Sequence, residues 1–251
     1  MSARTPSRLS FASHPSRLHR TFARLAAAVP SRCGICARWP AEPVCEACRL
    51  RFAQPLHRCA RCALPVPAGV GECGACVKSP PPLDACFAAV PYDYPWSSLV
   101  AQFKFQGRAG WARSFARLVL DTPGVAQAVE DCDLVLPMPL ARERLAERGF
   151  NQALALARCL APARKVEPAL LLRLANTPPQ AALGRKERLA NVRHAFGVEP
   201  LRLRDVRGRH VLVVDDVMTS GASLFAAAEA LRRAGAASVG AVVFARTDEA
   251  D

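Results

Sequence analysis

The chain has 251 residues, 51% hydrophobic side chains and a formal net charge of +13. This length accommodates one medium-sized domain and a small second one, and no transmembrane helix is expected because no apolar run reaches about eighteen residues. The charge is uneven, because residues 1–78 carry twelve Lys or Arg against three Asp or Glu, whereas residues 79–251 carry twenty-two against eighteen. Such asymmetry is typical of proteins that contact nucleic acids or membrane surfaces, and also of chains that are simply rich in arginine.

Residues 1–30 form a basic segment with five arginines and no acidic residue. The composition is similar to that of an organellar transit peptide, but its only apolar block, Leu25–Val29, is short. We therefore expect a disordered or marginally helical tail, and a nucleic-acid-binding arm is the alternative.

Eleven cysteines are many for this length. The chain lacks a signal-peptide pattern, so we expect a reducing, cytoplasmic compartment in which disulfides do not persist. Tetrahedral Zn²⁺ takes four thiolates and each CxxC knuckle supplies two, so four knuckles predict two Cys₄ zinc sites. The eight ligands are Cys33, Cys36, Cys45, Cys48, Cys59, Cys62, Cys73 and Cys76. Cys86, Cys132 and Cys159 fall outside the pattern and are expected to be buried free thiols.

The cysteine region, residues 31–78, is an internal repeat of CGICARWPAEPVCEAC and CARCALPVPAGVGECGAC. It has few large apolar residues, so bound metal would have to supply its folding energy. Sequential pairing of the knuckles gives a double zinc ribbon, and interleaved pairing stays open. A stiff Ser79–Pro82 junction follows. We expect three parts: a tail at 1–30, a ribbon at 31–78 and the main domain at 79–251.

Apolar, β-branched runs predict four strands in the main domain: Phe87–Tyr94, Asp133–Pro137, Val211–Val214 and Val239–Arg246. Helical patterns separate them, which favours an α/β fold with a parallel sheet. One helix starts at Trp96, a second runs through Trp111 to Val119, and a third spans residues 142–160. The apolar residues of the third helix that we expect to face inward are Leu145, Phe150, Leu154, Ala157 and Leu160.

The stretch VLVVDDVMTSGAS, residues 211–223, joins a buried strand to two carboxylates, Asp215 and Asp216, and to a turn of small residues. A helical stripe follows and ends before Gly235. A helix N-terminus with small residues presents N–H groups to a phosphate, and carboxylates suit sugar hydroxyls or Mg²⁺. The stretch predicts a phosphorylated-sugar site; an ordinary strand–turn–helix with solvated aspartates is the alternative. The turn comprises Thr219, Ser220, Gly221, Ala222 and Ser223.

Two further segments are candidates for the same crevice. The loop of Met138, Pro139 and Leu140 leaves the carboxyl end of a predicted strand, where ligands bind in α/β sheets. Arg142, Arg144 and Arg148 follow it, and a solvated charged face is the alternative interpretation for them. Residues 175–197 form a long basic loop of the kind that covers active sites. Its candidate catalytic residues are Arg185, Lys186 and Arg188.

The stretch 211–223 resembles the phosphoribosyl-diphosphate (PRPP) signature of type I phosphoribosyltransferases. That family usually has a second threonine where this chain has Ser220, which keeps a hydroxyl. The resemblance implies that Asp215 and Asp216 bind the ribose 2′ and 3′ hydroxyls. It also implies that Thr219–Ser223 cradles the 5′-phosphate and that Mg²⁺ binds with PRPP.

Four segments in their order resemble the ComF-type competence proteins, which also carry N-terminal cysteine knuckles. They are KFQGR (104–108), LPMPLARERLAERGFNQ (136–152), the TPPQ to AF segment (177–196) and the PRPP stretch. The match covers roughly residues 31–246. It implies a type I phosphoribosyltransferase-like parallel sheet flanked by helices, a small zinc-ribbon module, and an association with uptake or use of external DNA. Single-stranded DNA or DNA-uptake proteins are the implied partners.

Two functional hypotheses remain in competition. In the first, the chain is an enzyme: the loop at Met138 supplies amides to the diphosphate, and the basic segment stabilises it as it leaves C1. In the second, the domain senses PRPP or a nucleotide without turnover. The zinc module is then an adaptor that contacts DNA phosphates or an uptake protein, or it is only a folding staple.

Overall fold

The computed structural model describes residues 31–105, 109–174 and 195–248. The described residues form two compact units, one that ends at Cys45 and one that begins at Glu46. In the smaller unit, the Cys33–Cys36 knuckle closes with hydrogen bonds from Ala37 N to Cys33 O (2.9 Å) and from Cys33 N to Arg38 O (3.0 Å).

The larger unit alternates strands and helices. Its strands are β1 (Ala85–Pro91), β2 (Leu134–Pro137), β3 (Leu171–Arg173), β4 (Phe196–Val198), β5 (His210–Met218) and β6 (Ser238–Arg246). Its helices are α1 (Glu46–Phe52), α2 (Gly74–Lys78), α3 (Trp96–Phe105), α4 (Trp111–Leu120), α5 (Val125–Asp131), α6 (Arg142–Arg148), α7 (Gln152–Leu160) and α8 (Ala222–Arg233). Short 3₁₀ helices span Ala163–Lys165 and Pro200–Asp205.

A parallel sheet with the strand order β1-β6-β5-β2 forms the centre of this unit. The two inner strands are buried on both faces, which is why Val211–Val214 and Ala241–Ala245 are apolar throughout instead of alternating. Helices cover the sheet, and the ring of Phe244 stacks on Phe115 of α4 with centroids 3.8 Å apart. The predicted α/β fold with a parallel sheet is confirmed.

Several local predictions differ from the structure. The strand predicted at Phe87–Tyr94 spans Ala85–Pro91 and ends three residues earlier than expected. The predicted helix over residues 142–160 is two helices, because Gly149 takes a left-handed conformation (φ 74°) and ends α6. Leu145 of α6 is consequently 44% exposed and does not face inward. The predicted strand Val211–Val214 continues to Met218, so both aspartates lie inside β5, where Asp215 pairs with Val243 of β6.

The second cysteine group is continuous with the core of the larger unit. Cys59, Cys62 and Cys76 belong to the same buried cluster as Leu83 and Met218. The Cys86 amide of β1 donates to the Ala60 carbonyl at 2.8 Å. The cysteine-containing loops at residues 59–76 are thus packed onto the sheet. None of the helices in the described ranges is long and apolar enough to cross a membrane.

Candidate functional site

A cavity of about 250 Å³ lies at the carboxyl ends of β2 and β5. This is the position at which open α/β sheets bind ligands. The fold brings three of the predicted segments together there: the loop after β2, the acidic pair and the small-residue turn. The predicted residues in its lining are Met138, Pro139, Leu140, Asp215, Asp216, Thr219, Ser220, Gly221, Ala222 and Ser223.

The turn between β5 and α8 requires glycine at position 221. Gly221 has φ 82°, and a Cβ there would lie 2.5 Å from the Met218 Cε and 2.7 Å from the Phe225 Cζ. Helix α8 begins at the next residue, Ala222, whose amide donates to the Ser220 Oγ at 3.4 Å. The first N–H groups of a helix lack intrahelical acceptors, so the turn presents donors and the positive end of the helix dipole to the cavity.

The acidic pair is electrostatically strained. Burial and the negative charge of Asp216 raise the pKa of Asp215 to about 8. Asp216 is 7% exposed, and its Oδ2 is buried without a hydrogen bond from any described residue. The Lys104 Nζ lies 3.3 Å from that oxygen and forms an ion pair with it. The oxygen atoms of these two side chains have unused acceptor capacity for hydroxyl groups or a cation.

Lys104 was missed as a site residue by the sequence reasoning. It lies at the end of α3, and Asp216 is more than a hundred residues further along the chain. The only signal was its place in the KFQGR segment, whose residues 106–108 lie outside the described residues.

The loop after β2 is fixed from both sides. The Met138 amide donates to the Val214 carbonyl of β5 at 2.9 Å. The Asn151 Nδ2 donates to the Met138 carbonyl at 3.0 Å, and the Asn151 Oδ1 accepts from the Leu154 amide at 3.1 Å as the N-cap of α7. The loop at Met138 therefore has a defined position beside the acidic pair.

Three arginines make one side of the cavity basic: Arg144, Arg148 and Arg173. The Arg148 Nη1 donates to the buried Gln152 Oε1 at 3.1 Å, and its guanidinium lies 5.1 Å from the Phe105 ring centroid. Burial and then the charge of Arg144 lower the pKa of Arg173. Arginines brought together against this cost indicate a site for an anion.

Sequence reasoning had placed Arg144 and Arg148 near the crevice, whereas Arg173 was missed. Arg173 enters the site on the antiparallel pair β3–β4, which no sequence pattern indicated. Arg185, Lys186 and Arg188 lie outside the described residues.

The eight CxxC cysteines form two clusters. One contains Cys33, Cys36, Cys45 and Cys48, the other Cys59, Cys62, Cys73 and Cys76, and within each group all Sγ atoms lie within 4.8 Å of one another. This is the sequential pairing. Cys86 and Cys132 are buried free thiols, and Cys159 is half-buried.

Distances within the clusters fit zinc. The Sγ atoms of Cys36 and Cys45 are 3.7 Å apart, as are those of Cys62 and Cys73. A Zn–S distance of about 2.3 Å places thiolates about 3.8 Å apart at the corners of a tetrahedron, whereas a disulfide requires about 2.05 Å. Both groups are therefore compatible with zinc.

The first CxxC knuckle of each cysteine group has the same backbone conformation. Ala37 and Ala63, each directly after a CxxC pair, have positive φ angles of 59° and 56°. An amide from the next knuckle donates to the first sulfur of each group, from Cys45 in one and Cys73 in the other. Burial would raise the pKa of Cys59, but such backbone hydrogen bonds lower it to about 7, which favours the thiolate that binds metal.

Comparisons with known proteins agree with this architecture. The phosphoribosyl transferase domain family matches residues 168–250, which include β5, the turn and α8. The DNA utilization protein YhgH of Salmonella typhimurium is 32% identical over 228 residues, covering 87% of this chain and 98% of the relative. Competence protein ComFC of Bacillus subtilis is 30% identical, covering 83% of this chain and 86% of the relative. Competence protein F of Haemophilus influenzae is 28% identical, covering 76% and 85%.

The alignments with these relatives cover 76–87% of this chain, and the names of the relatives are those of DNA utilization and competence proteins. The resemblance that the four short segments indicated is confirmed. The chain belongs to the ComF-type competence protein family, with a phosphoribosyl transferase domain and two N-terminal Cys₄ clusters.

Proposed function

We propose that the cavity binds PRPP together with Mg²⁺. The observation that supports this most strongly is that hydrogen-bond acceptors for sugar hydroxyls and positively charged donors for phosphates line one cavity of about 250 Å³. An acidic pair, the half-buried Asp215 and the buried Asp216, faces it from β5. A helix N-terminal turn faces it from α8, and three arginines line it. Sugar hydroxyls need acceptors, whereas phosphates need donors and positive charge, and PRPP carries both kinds of group.

In this proposal the carboxylates of Asp215 and Asp216 accept hydrogen bonds from the ribose 2′ and 3′ hydroxyls. The turn Thr219–Ser223 donates its backbone amides and hydroxyls to the 5′-phosphate. The loop at Met138–Leu140 supplies amides to the diphosphate, and Arg144, Arg148 and Arg173 supply positive charge around it.

The residues present fit a divalent cation as well. The Asp216 Oδ2 is a buried oxygen without a hydrogen bond from the described residues, and oxygen ligands are those that Mg²⁺ takes. When bound with PRPP, Mg²⁺ would neutralise diphosphate charge and so favour its departure from C1. The Lys104 Nζ lies 3.3 Å from the same oxygen. With Mg²⁺ bound, the ammonium would either remain beside the carboxylate as a second positive charge or move away from it.

We propose that the protein turns over PRPP and that the basic loop, residues 175–197, contributes to this catalysis. Departure of diphosphate from C1 concentrates negative charge on the leaving group, and Arg185, Lys186 and Arg188 are the candidates to stabilise it. The alternative is a sensor that binds PRPP or a nucleotide without turnover and acts as an adaptor toward DNA or an uptake protein. The names of the relatives, which refer to DNA utilization and competence, favour this adaptor role as the second candidate.

Isothermal titration calorimetry of the full chain with PRPP, with and without Mg²⁺, tests the binding. Ribose 5-phosphate is the matched probe, because it lacks only the diphosphate. We expect PRPP to bind more tightly than ribose 5-phosphate, and more tightly with Mg²⁺ than without. Absence of PRPP binding at millimolar concentration overturns the proposal. A diphosphate-release assay with candidate acceptors then separates the enzyme from the sensor.

A further inference from the structure

Arg246 connects the second cysteine group to the turn at the cavity. It is the last residue of β6 and is 3% exposed. Its Nε donates to the Cys62 carbonyl at 3.0 Å. Its Nη1 donates to the Met218 carbonyl at 3.4 Å and also contacts the Thr219 carbonyl. The same nitrogen lies near the carbonyl and hydroxyl of Thr247. One buried guanidinium thus holds a cysteine of the metal cluster and the two residues that open the turn.

A second connection, made of one backbone hydrogen bond and a contact between two sulfur atoms, links the same cysteine group to Met218. The Cys86 amide donates to the Ala60 carbonyl inside the CxxC knuckle, at 2.8 Å. The Cys86 Sγ lies 3.7 Å from the Met218 Sδ. The Met218 Cε in turn lies only 2.5 Å from the position that a Cβ on Gly221 would take. Both connections end at Met218, the residue at which β5 gives way to the turn.

The position of the Cys62 carbonyl depends on the knuckle that contains it. The knuckle closes with hydrogen bonds from Ala63 N to Cys59 O at 2.9 Å and from Cys59 N to Leu64 O at 2.7 Å. The Sγ atoms of Cys59, Cys62, Cys73 and Cys76 lie within 4.8 Å of one another, so a cation bound there would hold this knuckle against the loop that contains the other two cysteines. If the knuckle rearranges, Arg246 loses an acceptor while it stays buried. Leaving a buried charged donor without its partner is costly.

We propose that Arg246 couples the second cysteine group to the turn Thr219–Ser223, so that zinc bound to these cysteines strengthens binding of the phosphoribosyl ligand in the cavity. The inference rests on the proposed function. Arg246 acts as a positioning residue: by holding the Met218 and Thr219 carbonyls it turns the following amides toward the cavity. Coupling between two binding sites is reciprocal. Ligand in the cavity must therefore tighten zinc binding at Cys59, Cys62, Cys73 and Cys76 by the same factor.

The test measures zinc affinity of the full chain by competition with a chromophoric chelator, with and without PRPP and Mg²⁺. In the wild type we expect PRPP to raise the affinity of one of the two zinc ions about fivefold or more. Arg246→Met keeps the aliphatic stem and removes every donor, so PRPP should no longer affect zinc. Arg246→Lys, with one ammonium in place of the fork, should restore only part of the effect.

Arg61→Met is the matched control. The Arg61 guanidinium pairs with Glu72 at 3.1 Å and donates to the Leu83 carbonyl at 3.0 Å, so it belongs to the same loops but does not touch the turn. We expect Arg61→Met to keep the effect of PRPP on zinc. If it loses that effect as Arg246→Met does, the coupling is not specific to Arg246 and the inference is overturned.

The wild-type measurements separate the two ways of failing. A wild type that does not bind PRPP in calorimetry contradicts the proposed function itself. A wild type that binds PRPP but shows unchanged zinc affinity overturns the coupling alone. This second outcome decides the matter even if Arg246→Met does not fold, because it needs no variant.

Discussion

Replacing Asp215 with asparagine is expected to stabilise the ligand-free protein at alkaline pH. Burial and the Asp216 charge raise the pKa of Asp215 to about 8, from an ordinary value of about 3.9. Between these pH values the folded state holds a proton that the unfolded state has released. The free energy of unfolding therefore falls as the pH rises through this window. Asparagine keeps the shape and has no charge, so the variant escapes this loss.

The size of the gain follows from the width of the window. One proton corresponds to about 1.4 kcal/mol per pH unit, so roughly four units set an upper limit of about 5.5 kcal/mol. Asp215 is half-buried, and water that reaches the carboxylate reduces the effect. We expect a gain of about 2 kcal/mol above pH 8, or roughly 4–8 °C in Tm. Near pH 4 the variant and the wild type should have similar stability.

Differential scanning calorimetry at several pH values measures this gain. Asp133→Asn is the matched control, because Asp133 accepts a hydrogen bond from the His210 amide at 2.9 Å, and this bond lowers its pKa. A lowered pKa stabilises the folded state above the ordinary value, so Asp133→Asn should lower Tm at neutral pH. If Asp215→Asn also lowers Tm at alkaline pH, Asp215 is not a strained carboxylate and the reasoning is refuted.

Although removal of the Asp215 charge should stabilise the ligand-free protein, removal of both carboxylate charges should weaken PRPP binding. Hydrogen bonds to charged groups contribute about 1.5–3 kcal/mol each. The double variant Asp215→Asn, Asp216→Asn should therefore bind PRPP at least roughly tenfold more weakly, since about 1.4 kcal/mol corresponds to a factor of ten. Calorimetry with PRPP and Mg²⁺ measures the affinity. Unchanged affinity would mean that the ribose is held elsewhere, and the assignment of residues 211–223 would fail.

Alanine at Arg185, Lys186 and Arg188 is expected to lower turnover more than PRPP affinity, because the departing diphosphate carries most charge in the transition state; a diphosphate-release assay beside calorimetry separates the two effects. Metal analysis of the full chain is expected to find two Zn²⁺, and Cys36→Ser should reduce the content to one. Gly221→Ala is expected to lower the free energy of unfolding by about 1–3 kcal/mol in urea titrations, because the left-handed backbone at φ 82° disfavours a Cβ.

Each of these has a contradicting outcome. Equal losses of turnover and affinity would leave simple electrostatic attraction as the role of the basic segment, and if no turnover is detected the sensor hypothesis is favoured. Protein without zinc, or with disulfides after preparation under reducing conditions, would exclude the two metal sites. A Gly221→Ala variant of wild-type stability would mean that the turn adopts another backbone conformation.

The inner strands of the sheet, β5 and β6, could be predicted from sequence because burial on both faces leaves an apolar run in each. The turn Thr219–Ser223 was also predictable, since its small residues and the helical stripe that follows are local signals. The break at Gly149 was not, because a single glycine inside a helical pattern is compatible with a continuous helix. Whether it takes a positive φ depends on how α6 and α7 pack.

The side chains that complete the cavity were hard to predict for a different reason. Lys104 meets Asp216 only through the tertiary fold. Arg173 comes from a three-residue strand whose partner, β4, begins more than twenty residues later, which is too little local pattern to recognise. Arg246 lies in an apolar strand sequence, and only the carbonyls of Cys62 and Met218 reveal what its charge does.

Strand β1 lies at the edge of the sheet, where unpaired backbone groups invite pairing with another chain. The Ala60 carbonyl meets this edge by accepting from the Cys86 amide, and the CxxC knuckle holds Ala60 in place. A metal ion bound at the second cysteine group would therefore also protect a sheet edge from intermolecular association. A chain made under zinc limitation should expose β1 and aggregate through strand pairing, and its yield should depend on the zinc supplied during synthesis.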